Sequence, residues 1–460
     1  MDLTRQRLKH LHSRAGFGIR HDELSIKKNY TIKKAVDELI SRSATITPLH
    51  ITINARPQKG YQKLTGEEKK LLLREARESV RNLNTSWLIK LASSDEQLRE
   101  KMTLFWHGHF ACRSTNPLYL QQLNNIHREH ALGNFRTMVL EVAKAPAMLQ
   151  FLNNQQNRKD HPNENFAREL MELFTLGHGN YTENDIKEAA RAFTGWAYNR
   201  SGEFQFRKLI HDNGSKTVFG KTGNWGGDEI IDIILSKPEA ATFIAGKIYN
   251  FFVSDTPDEN RIGDLGRFFF EKNYDIAALM RKIFMSDWFY DASNAGNKIK
   301  SPVELLAGLT RQFYITYQNP RILLQFQQAL GQTLFFPPNV AGWAGGRSWI
   351  DSSSLMLRLK IPSLILNGGV IEFDGKADPE DEAAIAMSRI KRNTVSRRVQ
   401  ATADWLKFSG SFSSKNKPED VAAFLLQPLL TEAVRNTVKT NTDIKNTAIK
   451  VVSMPEYQLG

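Results

Sequence analysis

PNENFARELMELFTLGHGNYTENDIKEAARAFTGW, residues Pro162 to Trp196, decides how this chain is read. Apolar residues recur at helical spacing on both sides of a Gly-His-Gly-Asn break, which predicts two amphipathic helices. On the first, a projection at about 100° per residue places Phe166, Leu170, Leu173, Phe174 and Leu176 on one arc. Glu169 falls inside that arc, with Asn165 and Glu172 at its edge. Burying an unpaired carboxylate costs several kcal/mol, so Glu169 needs a cation, hydrogen bonds or a raised pKa. A buried salt bridge or helix cap answers that need structurally; a ligand or acid/base role answers it chemically.

Outward from this stretch the chain reads as mainly α-helical. Ser93 to Phe110 opens with Ser and acidic residues and then repeats apolar positions at Leu98, Met102 and Phe105. A further helix is expected from about Leu118 to Lys144, bent near Gly133. After Trp196 the pattern alternates, and a small β-hairpin insertion at about 200–222, turning at Asn213-Gly214, is expected in an otherwise helical protein. Successive amphipathic helices resume from Gly226. Phe335 to Ile350 is too rich in Pro and Gly for regular structure and predicts an ordered loop pinned by Trp343 and Trp349. Residues 1–372 thus form a main helical domain. A polar linker from Phe373 to Glu382 leads to a C-terminal helical subdomain at 383–460.

The chain has 460 residues, 41% of them hydrophobic, enough to bury a large core. Its 62 Lys and Arg outnumber 49 Asp and Glu, and the formal net charge of +13 favours an anionic ligand or polymer. Nucleic acid is disfavoured as that partner, because no zinc-finger spacing, compact basic block or aromatic-and-basic signature accompanies the charge. A single cysteine, Cys112, excludes an intramolecular disulfide and a Cys-rich metal site. No secretory h-region and no membrane span are present, so a cytoplasmic location is expected; a periplasmic or exported one would follow if a leader has been trimmed or a partner carries the chain.

All eleven histidines lie at or before His211. On the Leu98 helix, His109 projects into the apolar stripe with Leu98, Met102, Phe105 and Cys112, while His107 faces away. His127 and His130 stand three apart, within reach of one ion, with Arg128 between them suggesting a half-exposed helix. Together these residues suggest a site between helices. His109, His130, Glu169 and Glu172, with His127 as a further candidate, would hold a divalent metal such as zinc, iron or manganese, and Glu169 and His109 are the catalytic candidates. A metal-free proton-transfer site stays open, since no HExxH motif is present. Weaker candidates for binding substrate or an anion are His211 and Lys216 in the HDNGSKT run, and Trp343 and Arg347 in the Gly-rich loop. Ser352 to Ser354 read as a helix cap, Pro302 as a helix start, and no G-x-S-x-G elbow occurs.

The order of several stretches is similar to that of the bacterial domain-of-unknown-function family 1800, over nearly the whole chain. They are RAGFG from Arg14, FWHGHF from Phe105, HALGNFR from His130, NENFARELMELFTLG from Asn163 and EAARAFTGW ending at Trp196. His211-Asp212 with Lys216-Thr217, KSPVELL from Lys300, PPNVAGW from Pro337 and PEYQL from Pro455 follow. The resemblance implies a mainly helical bacterial protein, often found beside domain-of-unknown-function family 1501, which resembles sulfatases and phosphatases. It also implies that relatives frequently carry export signals, whereas this chain begins almost at RAGFG. It favours His109, His130 and Glu169 over His127 and supplies no catalytic assignment. The expected function is a metal-dependent or acid/base enzyme acting on an anionic or glycan-type substrate, with a non-catalytic accessory or scaffold protein as the alternative.

Overall fold

A computed structural model describes residues 2–53, 64–199, 201–371, 397–413, 417–439 and 443–460. The helices begin where local capping chemistry allows. Asp2 accepts from the Arg5 amide at 2.8 Å to start α1 (Leu3–Ala15), and Thr65 with Glu68 forms a capping box at the head of α4 (Gly66–Ser93). Between them lie α2 (His21–Ile26) and α3 (Ile32–Arg42). The 28-residue α4 packs against α6 (Pro117–Glu129), α15 (Pro302–Gln312), α16 (Arg321–Leu330) and the helix that follows it in the chain. α5 (Gln97–His109) lies against α6, and its Trp106 stacks on Phe135 of α7 (Phe135–Lys144) with ring centroids 5.5 Å apart.

The helix expected from Leu118 to Lys144 is two helices, α6 and α7. Gly133 and the N-cap Asn134, which accepts from the Arg136 amide at 2.9 Å, break it. α8 (Pro146–Phe151) then leads to α9 (Asn165–Glu169), which runs directly into a π-helical segment, Leu170–Thr175. α10 (Glu183–Ala192) completes the pair expected from the opening stretch.

The β insertion is two small hairpins. β1 (Trp196–Tyr198) pairs antiparallel with β2 (Phe204–Phe206), and β3 (Lys216–Val218) with β4 (Lys221–Gly223). The turn expected at Asn213-Gly214 joins no strands. Phe219 and Gly220, at φ 49° and 74°, supply instead the two left-handed residues of the β3–β4 turn.

Five helices follow before α16: α11 (Gly227–Leu235), α12 (Pro238–Phe252), α13 (Glu259–Glu271), α14 (Ile276–Met285) and α15. α17 (Ser352–Asn367) is capped by Asp351, which accepts from the Ser354 amide at 2.7 Å, so the cap lies one residue before the serine run. β5 (Thr316–Tyr317) pairs with β8 (Ala401–Thr402), and β6 (Val370–Ile371) with β7 (Arg397–Arg398), which ties the C-terminal segment to the preceding helices. Helices at Trp405–Gly410, Pro418–Leu425, Glu432–Lys439 and Ile444–Val452 finish the fold. The polar linker read at Phe373 to Glu382 lies outside the described residues. The architecture is mainly helical with small two-stranded sheets, and no described helix is long and apolar enough to cross a membrane.

Candidate functional site

The end of α5 meets the Pro/Gly/Trp loop. Gly342 has a φ of 76°, and a Cβ there would collide with the carbonyl of Gly108. Two glycines thus let loop and helix touch backbone to backbone, which brings the Trp343 ring within 5.7 Å of His107. Next along α5, the His109 Nε2–H donates to the Phe174 carbonyl at 3.0 Å. Burial pushes the His109 pKa down to about 3, so the ring is neutral at pH 7. A carbonyl only accepts, so the proton sits on Nε2 and Nδ1 carries the free lone pair.

His109 lines a cavity of about 420 Å³. α12 contributes Lys247 and Phe251 to its wall, the following turn Asp255, the segment before α15 Lys298, α15 itself Glu304, and the loop Trp343 and Trp349. Lys298 is ion-paired to Asp255, and Lys101 of α5 to Glu304. Burial works to raise the Glu304 carboxyl, but the Lys101 ammonium and the 2.8 Å hydrogen bond from the Ser301 amide outweigh it and hold the pKa near about 2. Glu304 is therefore ionised at neutral pH. Its geometry is local in origin: Ser301 and Glu304 form the capping box of α15, with Pro302 at the first helical position as expected.

The sequence candidates are dispersed. His109 and Trp343 line the cavity together; Glu169, Glu172 and His130 do not. Among the described residues no group of three His, Cys, Asp or Glu side chains could hold a metal ion, so the set His109, His130, Glu169 and Glu172 is not assembled. Two details of the backbone explain this. His130 follows the last residue of α6 as its C-cap, outside the regular helix that carries His127. Near Glu169 the buried positions are 166, 167, 170, 171, 174 and 175, a spacing of four that follows the wider π turn, so Glu169 sits half-buried at the edge of the face. Burial first, then the neighbouring Glu172 charge, raises the Glu169 pKa. Glu172 accepts from Tyr181 Oη at 2.6 Å and lies 3.1 Å from His178 Nε2.

Three further placements differ from the projection. His107 does not face away; it is 4% exposed, and its Nε2 accepts from the Phe335 amide at 3.1 Å. His127 is fully buried with no hydrogen-bond partner on either ring nitrogen. Arg128 is buried as well, bound to Glu100. In the β insertion, His211 Nδ1 donates to the Thr194 carbonyl at 2.8 Å, and the Lys216 ammonium donates to the carbonyls of Asp212 at 2.7 Å and Gly214 at 3.0 Å. Both brace the turn. Arg347 is exposed on the loop, whereas Trp343 is half-buried in the cavity wall.

Lys101, Asp255, Lys298 and Glu304 were not singled out in the sequence. Lys101 was within reach of the same projection that found Glu169, since 98, 101 and 105 share one helix face. Glu304 reads as an ordinary capping residue, and nothing local to Asp255 or Lys298 shows that they meet.

Five of the ordered stretches converge here. RAGFG, KSPVELL and PEYQL supply Arg14, Lys300 and Tyr457 to a small chamber adjoining the cavity, and FWHGHF and PPNVAGW supply His109 and Trp343 to the cavity itself. Fold and site define a many-helix protein with an interhelical cavity walled by acidic, basic and aromatic side chains. The chain belongs to DUF1800, described as a protein of unknown function, whose profile matches residues 10–459. No curated protein and no solved structure matches it.

Proposed function

We propose that the cavity between α5, α12, α15 and the 335–350 loop is the ligand site of an acid/base enzyme acting on an anionic or glycan-type molecule. One observation carries the reading: a space of about 420 Å³ whose wall combines a neutral histidine, two lysines, two carboxylates and two tryptophans. That volume accommodates a small organic ligand. Trp343 and Trp349 offer flat apolar faces of the kind that stack on sugar rings, and Lys247 and Lys298 offer cations to an acidic substituent. His109 Nδ1 is an acceptor for a substrate hydroxyl, held in its tautomer by the bond to Phe174.

The test is a binding screen monitored by tryptophan fluorescence, using neutral, uronic-acid, sulfated and phosphorylated oligosaccharides, followed by product analysis of those that bind. An acidic oligosaccharide should bind and be turned over, Trp343→Ala should weaken binding at least tenfold, and His109→Asn should retain binding while losing turnover. Binding by none of the panel, or binding indifferent to Trp343→Ala, would sink the reading.

A further inference from the structure

The small chamber adjoining the cavity has a volume of about 40 Å³ and shares Phe251, Lys298, Ile299 and Glu304 with it. Four cationic side chains line it, Arg14, Lys101, Lys298 and Lys300, and among the described residues Glu304 is the only acidic side chain in its wall. Lys101 is paired with Glu304, and Lys298 with Asp255 of the larger cavity. Among the described residues neither Arg14 nor Lys300 has a carboxylate side chain at ion-pairing distance; the Glu304 charge acts on both from further off, and Gly460 completes the wall beside Lys300. Arg14 is 4% exposed; its Nη2 donates to the Asn294 carbonyl at 2.7 Å and to Asn297 Oδ1 at 2.6 Å, while its Nε is buried without a partner. The Lys300 ammonium donates to the Tyr457 carbonyl at 2.7 Å and lies 3.8 Å from the centre of that ring.

Cationic side chains thus outnumber carboxylates in this wall, and enclosing unbalanced charge is costly unless a counter-charge joins it. Burial accordingly pushes the Lys300 ammonium down to about 7. The missing partner is an anion. One water needs roughly 10–15 Å³ on this measure, so the chamber holds about three, the bulk of a tetrahedral oxyanion. A guanidinium beside ammonium groups is the donor set that recognises phosphate or sulfate.

We propose that this chamber is an oxyanion site, built by Arg14, Lys101, Lys298 and Lys300 for one phosphate or sulfate group. The group is the charged end of a ligand whose remainder occupies the larger cavity, a second statement that rests on the proposed function. The oxyanion itself does not.

The experiment is titration of the whole protein with inorganic phosphate and, separately, sulfate at pH 7.5, against sodium chloride of equal ionic strength, followed by calorimetry and thermal unfolding. One anion per chain should bind saturably and raise the unfolding midpoint, and the stronger of the two identifies the substituent. Lys300→Met should weaken that binding at least tenfold with an unchanged circular dichroism spectrum. Trp343→Ala, confined to the larger cavity, should leave it unaltered. Wild-type protein that responds to phosphate and sulfate no more than to chloride overturns the proposal even if every variant fails to fold, and so does undiminished binding in folded Lys300→Met. Inorganic anion that binds while no phosphorylated or sulfated sugar binds more tightly overturns only the extension into the larger cavity.

Discussion

Arg128 closes on Glu100 with two hydrogen bonds, Nε to Oε1 at 2.6 Å and Nη2 to Oε2 at 3.1 Å, and both side chains are 1% exposed. Trp87 Nε1 donates to the same carboxylate at 3.0 Å, so the pair joins α4, α5 and α6 behind the face of α5 that lines the cavity. Removing one charge leaves the other buried without compensation. Glu100→Gln should lose about 3–5 kcal/mol in urea unfolding. A loss below about 1 kcal/mol would show that water reaches the pair.

Gly342 and Gly108 should respond oppositely to alanine. Gly342→Ala meets both a left-handed φ and the Gly108 carbonyl, and should cost about 1–3 kcal/mol. Gly108 is helical with open space where a Cβ would stand, so Gly108→Ala should stabilise by about 0.5–1 kcal/mol while intruding on the cavity it lines. Thermal unfolding of the two variants checks the sign of each.

The buried histidines make the fold sensitive to acid. Burial is the leading cause that pushes His10, His12, His107 and His109 down to about 3, and His21 to about 4. The unfolded rings take up protons near pH 6.5 and the folded ones do not, so stability falls as pH drops below 6.5. Each ring contributes at most about 1.4 kcal/mol per pH unit. Urea midpoints at pH 7, 6 and 5 should fall with increasing steepness, and a flat profile would show these rings to be solvated.

Two buried lysines act at the alkaline end. Burial lowers Lys9 and Lys300 to about 7. Between pH 7 and the unfolded value near 10.4 the unfolded chain binds more protons, so stability should rise with pH across that window, by at most about 1.4 kcal/mol per pH unit for each lysine. Saturating phosphate should flatten the part due to Lys300. The measurement is the urea midpoint from pH 7 to 9.5 with and without the anion.

Glu169→Gln separates the opening stretch from the cavity. The substitution removes repulsion from Glu172 at a half-buried position and should change stability by less than about 1 kcal/mol, in the favourable direction at pH 7. Ligand binding in the cavity should be unaffected, which the fluorescence titration would show. A loss of binding comparable to that of Trp343→Ala would return Glu169 to the site.

Helix content, the start of α15 at Pro302, the β insertion and the ordered Trp343 loop were all readable from the chain, because each arises from periodicity or turn chemistry within about fifteen residues. Glu169 stands out as a carboxylate inside the apolar arc of a regular helix, yet a projection at α-helical pitch does not foresee the π turn at Leu170–Thr175 that moves it to the edge. The burial of Arg128 was invisible because its partner is 28 residues away on another helix. The same holds for the cavity. Lys101 and Glu304, 203 residues apart, become a site only when α5 and α15 are brought together, since a charge pair over that distance leaves no periodic trace in the chain. Local sequence determined the helices and their ends, and tertiary packing alone decided which charges share an enclosed, low-dielectric space.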